Sequence, residues 1–68
     1  MYHSRLKFYR EEKGLSQSQL ADKSGVSLRL IQAYEQGYKD INKAQVLTVL
    51  QLAEALEVDV YAIINDRT

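Results

Sequence analysis

The chain has 68 residues, of which 46% are hydrophobic and 26% charged, and its nine basic and nine acidic side chains give a net charge of zero. This length predicts a single domain over residues 1–68, too small to enclose a catalytic cavity. The lack of cysteine excludes disulfides and thiolate metal sites, and no apolar run approaches the roughly 20 residues of a membrane span. The N-terminus lacks the apolar stretch of a signal peptide, so a cytoplasmic location is expected.

The charges are distributed unevenly along the chain. Residues 1–43 carry eight basic and five acidic side chains, whereas residues 44–68 carry one basic and four acidic side chains. A mildly basic first part joined to an acidic second part favours a protein that presents only one face to a polyanion such as nucleic acid. The charge excess is small, so long-range electrostatic steering is weak.

The first two predicted helices are separated by a glycine. Helix one is predicted over residues 4–13 and ends at Gly14. Ser16 is the natural N-cap of helix two, because its hydroxyl can accept a hydrogen bond from a free N–H of the first turn. Helix two is predicted to run to about residue 24. Ala21 is small enough for a second helix to cross closely.

A tight turn and a third helix follow. Gly25 supplies the left-handed conformation that other residues adopt only at a cost, and Ser27 is the predicted N-cap of a helix over residues 28–36. This pattern of helix, glycine turn and helix is typical of a helix-turn-helix, whose second helix enters the DNA major groove. By helical period, one face should pack inward (Leu30, Ile31, Tyr34) and the other should face a groove (Leu28, Arg29, Gln32, Ala33, Gln36).

Two further helices are predicted in the second half. Helix four, over residues 44–56, carries a broad apolar stripe that favours burial on two sides, one against the motif and one against another partner. A short helix five follows, with Val60, Ile63 and Ile64 pointing inward. The polar connection before helix four contains Lys39 and Lys43.

Four motifs together resemble the lambda-repressor-like (Xre-type) helix-turn-helix domains of bacterial and phage regulators. They are L-S-Q-x-x-L-A at residues 15–21, G-V-S at 25–27, I-x-x-Y-E-x-G at 31–37 and L-x-x-A-x-x-L at 50–56. The resemblance implies an all-α, compact fold of five helices, with the helix-turn-helix at about residues 16–37. It also implies a structural ion pair between Arg10 of helix one and Glu35 of helix three.

The resemblance further assigns residues to DNA contacts by position. Base edges would be read by helix three (Leu28, Arg29, Gln32, Ala33), and the sugar–phosphate backbone would be contacted by flanking residues (Gln17, Ser27, Gln36, Lys39, Lys43). These types suit the roles, since arginine can bond guanine, glutamine can bond adenine, and leucine or alanine can pack on a thymine methyl. Two positions depart from the family pattern: Leu28 is apolar where a polar reader is common, and Glu57 stands where glycine usually follows helix four.

The sequence therefore predicts a sequence-specific regulator of transcription that binds double-stranded DNA, expected to act as a repressor and as a homodimer on a palindromic operator. Helix five and the end of helix four are the expected dimer surface. The alternative is an antitoxin-like or other protein-interaction module with the same fold, whose protein partner would meet helices four and five. No catalytic residues, cofactor, metal or small-molecule ligand is expected.

Overall fold

The computed structural model describes Tyr2 and residues 4–64. Over these residues the chain forms five α-helices and one short 3-10 turn: α1 (Leu6–Glu12), α2 (Gln17–Ser24), α3 (Leu28–Gln36), the 3-10 turn (Ile41–Lys43), α4 (Val46–Leu56) and α5 (Val60–Ile64). This part of the chain contains no strand. The predicted all-α fold with five helices is confirmed.

Side-chain caps fix the starts of α2 and α3. The Ser16 hydroxyl accepts from the Gln19 backbone N–H at 3.0 Å, and the Gln19 side-chain oxygen accepts from the Ser16 N–H at 2.8 Å. This reciprocal pair is a capping box, which satisfies two backbone donors at once. At α3, the Ser27 hydroxyl accepts from the Leu30 N–H at 3.1 Å. Both predicted N-caps are confirmed.

Two helices begin two residues later than predicted. At α1, Arg5 is not helical, and the Ser4 hydroxyl accepts from the Leu6 N–H at 3.4 Å. At α4, Ala44 and Gln45 have extended backbones with ψ of 159° and 142°. These two residues join α4 to the 3-10 turn, which the sequence pattern did not indicate.

Glu57 ends α4 in the left-handed conformation, with φ of 59°. It is the one residue other than glycine with positive φ among those described. The turn therefore keeps the geometry that glycine would give it, and the glutamate adopts that geometry at a conformational cost. Its carboxylate forms an exposed ion pair with the Lys13 ammonium, which ties the end of α4 to the end of α1.

The core receives a fully buried side chain from every helix and from the 3-10 turn (Leu6, Leu20, Ile31, Ile41, Leu52, Leu56, Ile63). The central element is α4, which packs against both α2 and α5. Since each buried aliphatic side chain stabilises the fold by about 1.5–3 kcal/mol, this shared core holds α2 and α3 at a fixed angle.

The apolar stripe of α4 is only partly buried. Its second half lies in the core, but in its first half Val46, Leu47 and Leu50 are between 48% and 74% exposed. At the end of α4, Ala53 and Leu56 are buried whereas Glu54 and Glu57 are exposed, and the dimer surface expected there and on helix five stays a prediction. Within the described residues, no helix is long and apolar enough to cross a membrane.

Candidate nucleic-acid interface

The turn between α2 and α3 is closed by local hydrogen bonds. Gly25 has φ of 78°, and its N–H donates to the Ala21 carbonyl at 2.9 Å. The buried Ser24 hydroxyl accepts from the Val26 N–H at 3.1 Å, and the Val26 side chain is buried in the core. These contacts fix the backbone of the turn and therefore the orientation of α3 relative to α2.

Arg10 and Glu35 join α1 to α3 through a bidentate ion pair. Arg10 Nε lies 2.7 Å from Glu35 Oε2, and Arg10 Nη2 lies 3.0 Å from Glu35 Oε1. Arg10 Nη1 also donates to the Leu15 carbonyl at 2.7 Å. The two side chains are only 10% and 3% exposed. The hydrogen bond to Glu35 raises the pKa of the Arg10 guanidinium against the opposing effect of burial, so the charge is retained.

Gln17 belongs to the same network. Its side-chain Nε2 donates to Glu35 Oε1 at 2.9 Å, which brings the start of α2 against the end of α3. An amide nitrogen carries two protons, so one remains for another acceptor. In addition, the first backbone N–H groups of α2 have no partner within the helix. The family resemblance implied a contact between Gln17 and the DNA backbone, and the sequence gave no signal for its hydrogen bond to Glu35.

One face of α3 is free of other helices. Arg29 and Gln36 are exposed, Gln32 and Ala33 are half-buried, and Leu28 is 37% exposed. The opposite face buries Ile31 and Tyr34 and partly buries Leu30. The structure thus brings the residues predicted to read bases together on one outward surface.

The residues predicted to contact DNA backbone lie near both ends of α3. Ser27 precedes the first turn, Gln36 is the last residue of the helix, and Lys39 and Lys43 follow it; all four are exposed. The segment after α3 is held by hydrogen bonds from the Tyr38 and Lys39 N–H groups to the Ala33 carbonyl. Polar groups therefore flank the exposed face of α3 on two sides.

Three positive charges at and after α3 form no ion pair with the residues that the structure describes. Within Tyr2 and residues 4–64, the ion pairs are Arg10–Glu35 and Lys13–Glu57. Arg29, Lys39 and Lys43 therefore present unpaired charges in the described part of the chain, while Glu35 is neutralised by Arg10. A polyanion would meet a mildly positive surface there.

Two polar residues that shape this surface were missed by the sequence prediction. Gln19 completes the capping box of α2, and the S-x-x-Q spacing of residues 16–19 is its signal. Ser24 closes the turn with its hydroxyl, and no sequence pattern distinguishes it from a surface serine. Among the described residues, no three carboxylate or histidine side chains gather as metal ligands would.

A sequence profile of the family described as Helix-turn-helix matches residues 6–63, from the first residue of α1 into α5. Among solved structures, the chain is similar to the master regulator for biofilm formation SinR in complex with DNA, with 32% identity and a TM-score of 0.78. That similarity covers 84% of this chain and 87% of that chain. No curated protein matches the chain significantly. The chain belongs to the helix-turn-helix family of lambda-repressor-like (Xre-type) domains.

Proposed function

We propose that the protein is a transcriptional regulator that binds double-stranded DNA sequence-specifically by placing α3 in the major groove. The observation that carries this proposal is the outward face of α3, which combines Arg29 and Gln32 with the apolar Leu28 and Ala33. The similarity to SinR, solved in complex with DNA, supports it.

The four side chains suit the donors and acceptors of base edges. Arg29 can donate two hydrogen bonds to O6 and N7 of guanine, and Gln32 can bond N6 and N7 of adenine. Leu28 and Ala33 can pack against thymine methyl groups. Each good bidentate pair discriminates against the wrong base by about 1–3 kcal/mol, so Arg29 and Gln32 would carry most of the specificity.

The length of α3 suits the width of the groove. Nine residues at about 1.5 Å per residue span about 13 Å, and the major groove is about 12 Å wide. A helix whose outward face reaches the bases would therefore bring its two ends near the two backbones. Ser27 would contact one backbone, and Gln17, Gln36, Lys39 and Lys43 would contact the other.

We further propose that two copies bind one operator. Val46 and Leu50 of α4 border an apolar groove of about 130 Å³, to which α5 contributes Val60 and Ile64. Leu47, on the same helix, is also exposed and apolar. A second copy would cover this surface. Two-fold symmetry would then place the two α3 helices about 34 Å apart on half-sites roughly 10 bp apart, centre to centre. A dimer bound across a promoter would act as a repressor by obstructing polymerase.

DNA binding is tested by selecting duplexes from a random pool and measuring their affinity by fluorescence anisotropy. Arg29→Met should weaken binding to the selected duplex by roughly 5- to 150-fold and relax the preference at one base pair. Lys7→Met, an exposed charge change on α1, is the matched control and should leave that preference intact. Failure of the unaltered protein to bind any duplex at low salt contradicts the proposed function.

The dimer is tested separately by sedimentation with and without the selected duplex. Leu47→Lys with Leu50→Lys should reduce the stoichiometry from two copies per duplex to one, because lysine ammonium groups resist burial. Phe8→Lys places the same charge on an exposed apolar residue of α1 and serves as the control. Two bound copies of the double variant would refute the α4 surface as the interface.

The exposed residues of α4 also favour a second candidate function, an antitoxin-like or other protein-interaction module. In that case a different protein would cover Val46, Leu47 and Leu50. Arg29→Met would then leave complex formation unchanged, whereas Leu47→Lys with Leu50→Lys would abolish it.

A further inference from the structure

A notch lies beyond the C-terminal end of α3, lined by three tyrosines, two lysines and one aspartate together with Ala44. It has a volume of about 310 Å³ and is open to solvent, and its polar residues are Tyr2, Tyr34, Tyr38, Lys39, Asp40 and Lys43. The predicted backbone contacts included Lys39 and Lys43, but none of the tyrosines. The combination of phenol hydroxyls with ammonium groups requires a chemical explanation.

The N-terminal segment is held at the notch by a backbone hydrogen bond. The Tyr2 N–H donates to the Gly37 carbonyl at 3.0 Å, at the residue that ends α3. Gly37 is buried and left-handed, so this carbonyl is fixed. The Tyr2 side chain therefore reaches the notch from a part of the chain distant in sequence from the lysines.

Two of the three tyrosines are exposed to solvent. Tyr2 is 48% exposed and Tyr38 is 72% exposed. Tyr34, by contrast, is buried and forms the floor, and its burial raises the pKa of its hydroxyl. A phenol that stays protonated donates a hydrogen bond, which is what an anionic oxygen accepts.

The charges in the notch favour an anion. Lys39 and Lys43 form no ion pair with the described residues. The one carboxylate, Asp40, accepts from the Asn42 N–H at 3.0 Å and caps the 3-10 turn. The Lys43 N–H donates to the Asp40 carbonyl, so the backbone donor there is already used. The side chains of Lys39 and Lys43 therefore supply the positive charge that an anion would meet in the notch.

We infer that the notch binds a phosphate of the DNA backbone, with Tyr2 and Tyr38 donating hydrogen bonds beside the charges of Lys39 and Lys43. This inference rests on the proposed function, because the notch adjoins the end of α3 that would lie beside a strand. The tyrosine hydroxyls would donate directional hydrogen bonds to the phosphate, and the lysine ammonium groups would attract its negative charge. Together these contacts would fix how far α3 enters the groove. The tyrosines are thus positioning residues that carry no base information.

The test is the affinity of variants for the selected duplex over a series of salt concentrations. Tyr2→Phe and Tyr38→Phe should each weaken binding by roughly 10-fold without changing the salt dependence, since a neutral donor is lost. Lys39→Gln and Lys43→Gln should each reduce the slope of log K against log salt by about 0.9, since one phosphate contact is lost. Tyr61→Phe, an exposed tyrosine on α5, and Lys7→Gln are the matched controls.

A second measurement separates direct contact from a general effect on the fold. A neutral methylphosphonate is placed at each phosphate of the duplex in turn. One position should weaken binding of the unaltered protein but cause little further loss with Tyr2→Phe. If the notch variants bind like their controls while the unaltered protein binds the duplex, phosphate binding in the notch is refuted and the proposed function stands. If the unaltered protein binds no duplex, both the proposed function and phosphate binding in the notch are refuted.

Discussion

Removal of Arg10 should cost this small domain a large part of its stability. Arg10→Met keeps the aliphatic volume of the side chain but leaves Glu35, whose side chain is 3% exposed, with Gln17 as its remaining partner. Breaking a fully buried ion pair from one side costs about 3–5 kcal/mol. Because the Arg10 side chain keeps 10% exposure, we expect the lower end, about 3 kcal/mol.

That loss is comparable with the whole stability of such a domain. At roughly 0.05–0.15 kcal/mol per residue, a chain of this length is stable by about 3–10 kcal/mol. For a small domain the free energy of unfolding falls by about 1 kcal/mol per molar urea. The urea midpoint of Arg10→Met, followed by circular dichroism, should therefore lie about 3 M below that of the unaltered protein. The helical signal should be lost in one cooperative transition.

A double variant keeps the test informative if Arg10→Met is unfolded without urea. Arg10→Met combined with Glu35→Leu removes both charges and should recover much of the stability, since no buried charge is left unpaired. Lys13→Met is the control, because it breaks the exposed pair with Glu57. A midpoint for Arg10→Met no lower than that of Lys13→Met would refute the reasoning. So would a double variant less stable than Arg10→Met alone.

Three further outcomes are expected from the left-handed helix ends. Gly25→Ala should lower the free energy of unfolding in urea by about 1–2 kcal/mol, because alanine is strained at positive φ. The added Cβ would lie 3.7 Å from Gln51 Nε2, which is an ordinary contact. A much larger loss of stability would therefore contradict an effect of the backbone alone. Glu57→Gly should melt roughly 4–8 °C above Glu57→Ala, because both lose the carboxylate but only glycine relieves the positive φ; equal melting temperatures would argue against strain. The hydrogen bond from Lys13 lowers the pKa of Glu57, so its stabilisation is present above the ordinary glutamate pKa of about 4.3 and is lost as pH falls through the lowered value. Melting temperatures between pH 3 and 7 should show this loss in the unaltered protein and lack it in Glu57→Gln; identical profiles would contradict it.

Local features made the helix-turn-helix predictable from the sequence. Ser16 and Ser27 cap their helices with their own hydroxyls, and Gly25 and Gly37 supply left-handed turns, so each acts within a few residues of itself. The spacing of Leu20 and Ile31 marked buried faces in the same way. These are short-range effects of backbone geometry and side-chain period, which a single sequence records directly.

The features that the sequence did not predict are those that depend on residues far away in the chain. Leu47 and Leu50 have the period of a buried helix face, yet they are exposed because α2 and α5 cover other sides of α4. Gln17 bonds Glu35, which lies 18 positions away, and periodicity carries no trace of that contact. The starts of α1 and α4 also depended on hydrogen bonds and extended residues that hydrophobic pattern does not encode.

The sequence by itself determined the five helices, the N-caps of α2 and α3, the glycine turn and the family, since each depends on neighbouring residues or on a recognisable motif. Only the tertiary structure decided which apolar residues stay exposed, how Arg10, Glu35 and Gln17 share one network, and that Tyr2 lies beside Lys39 and Lys43. Those arrangements arise from elements that meet after folding, because burial and hydrogen bonding between them are set by the packing of the whole domain.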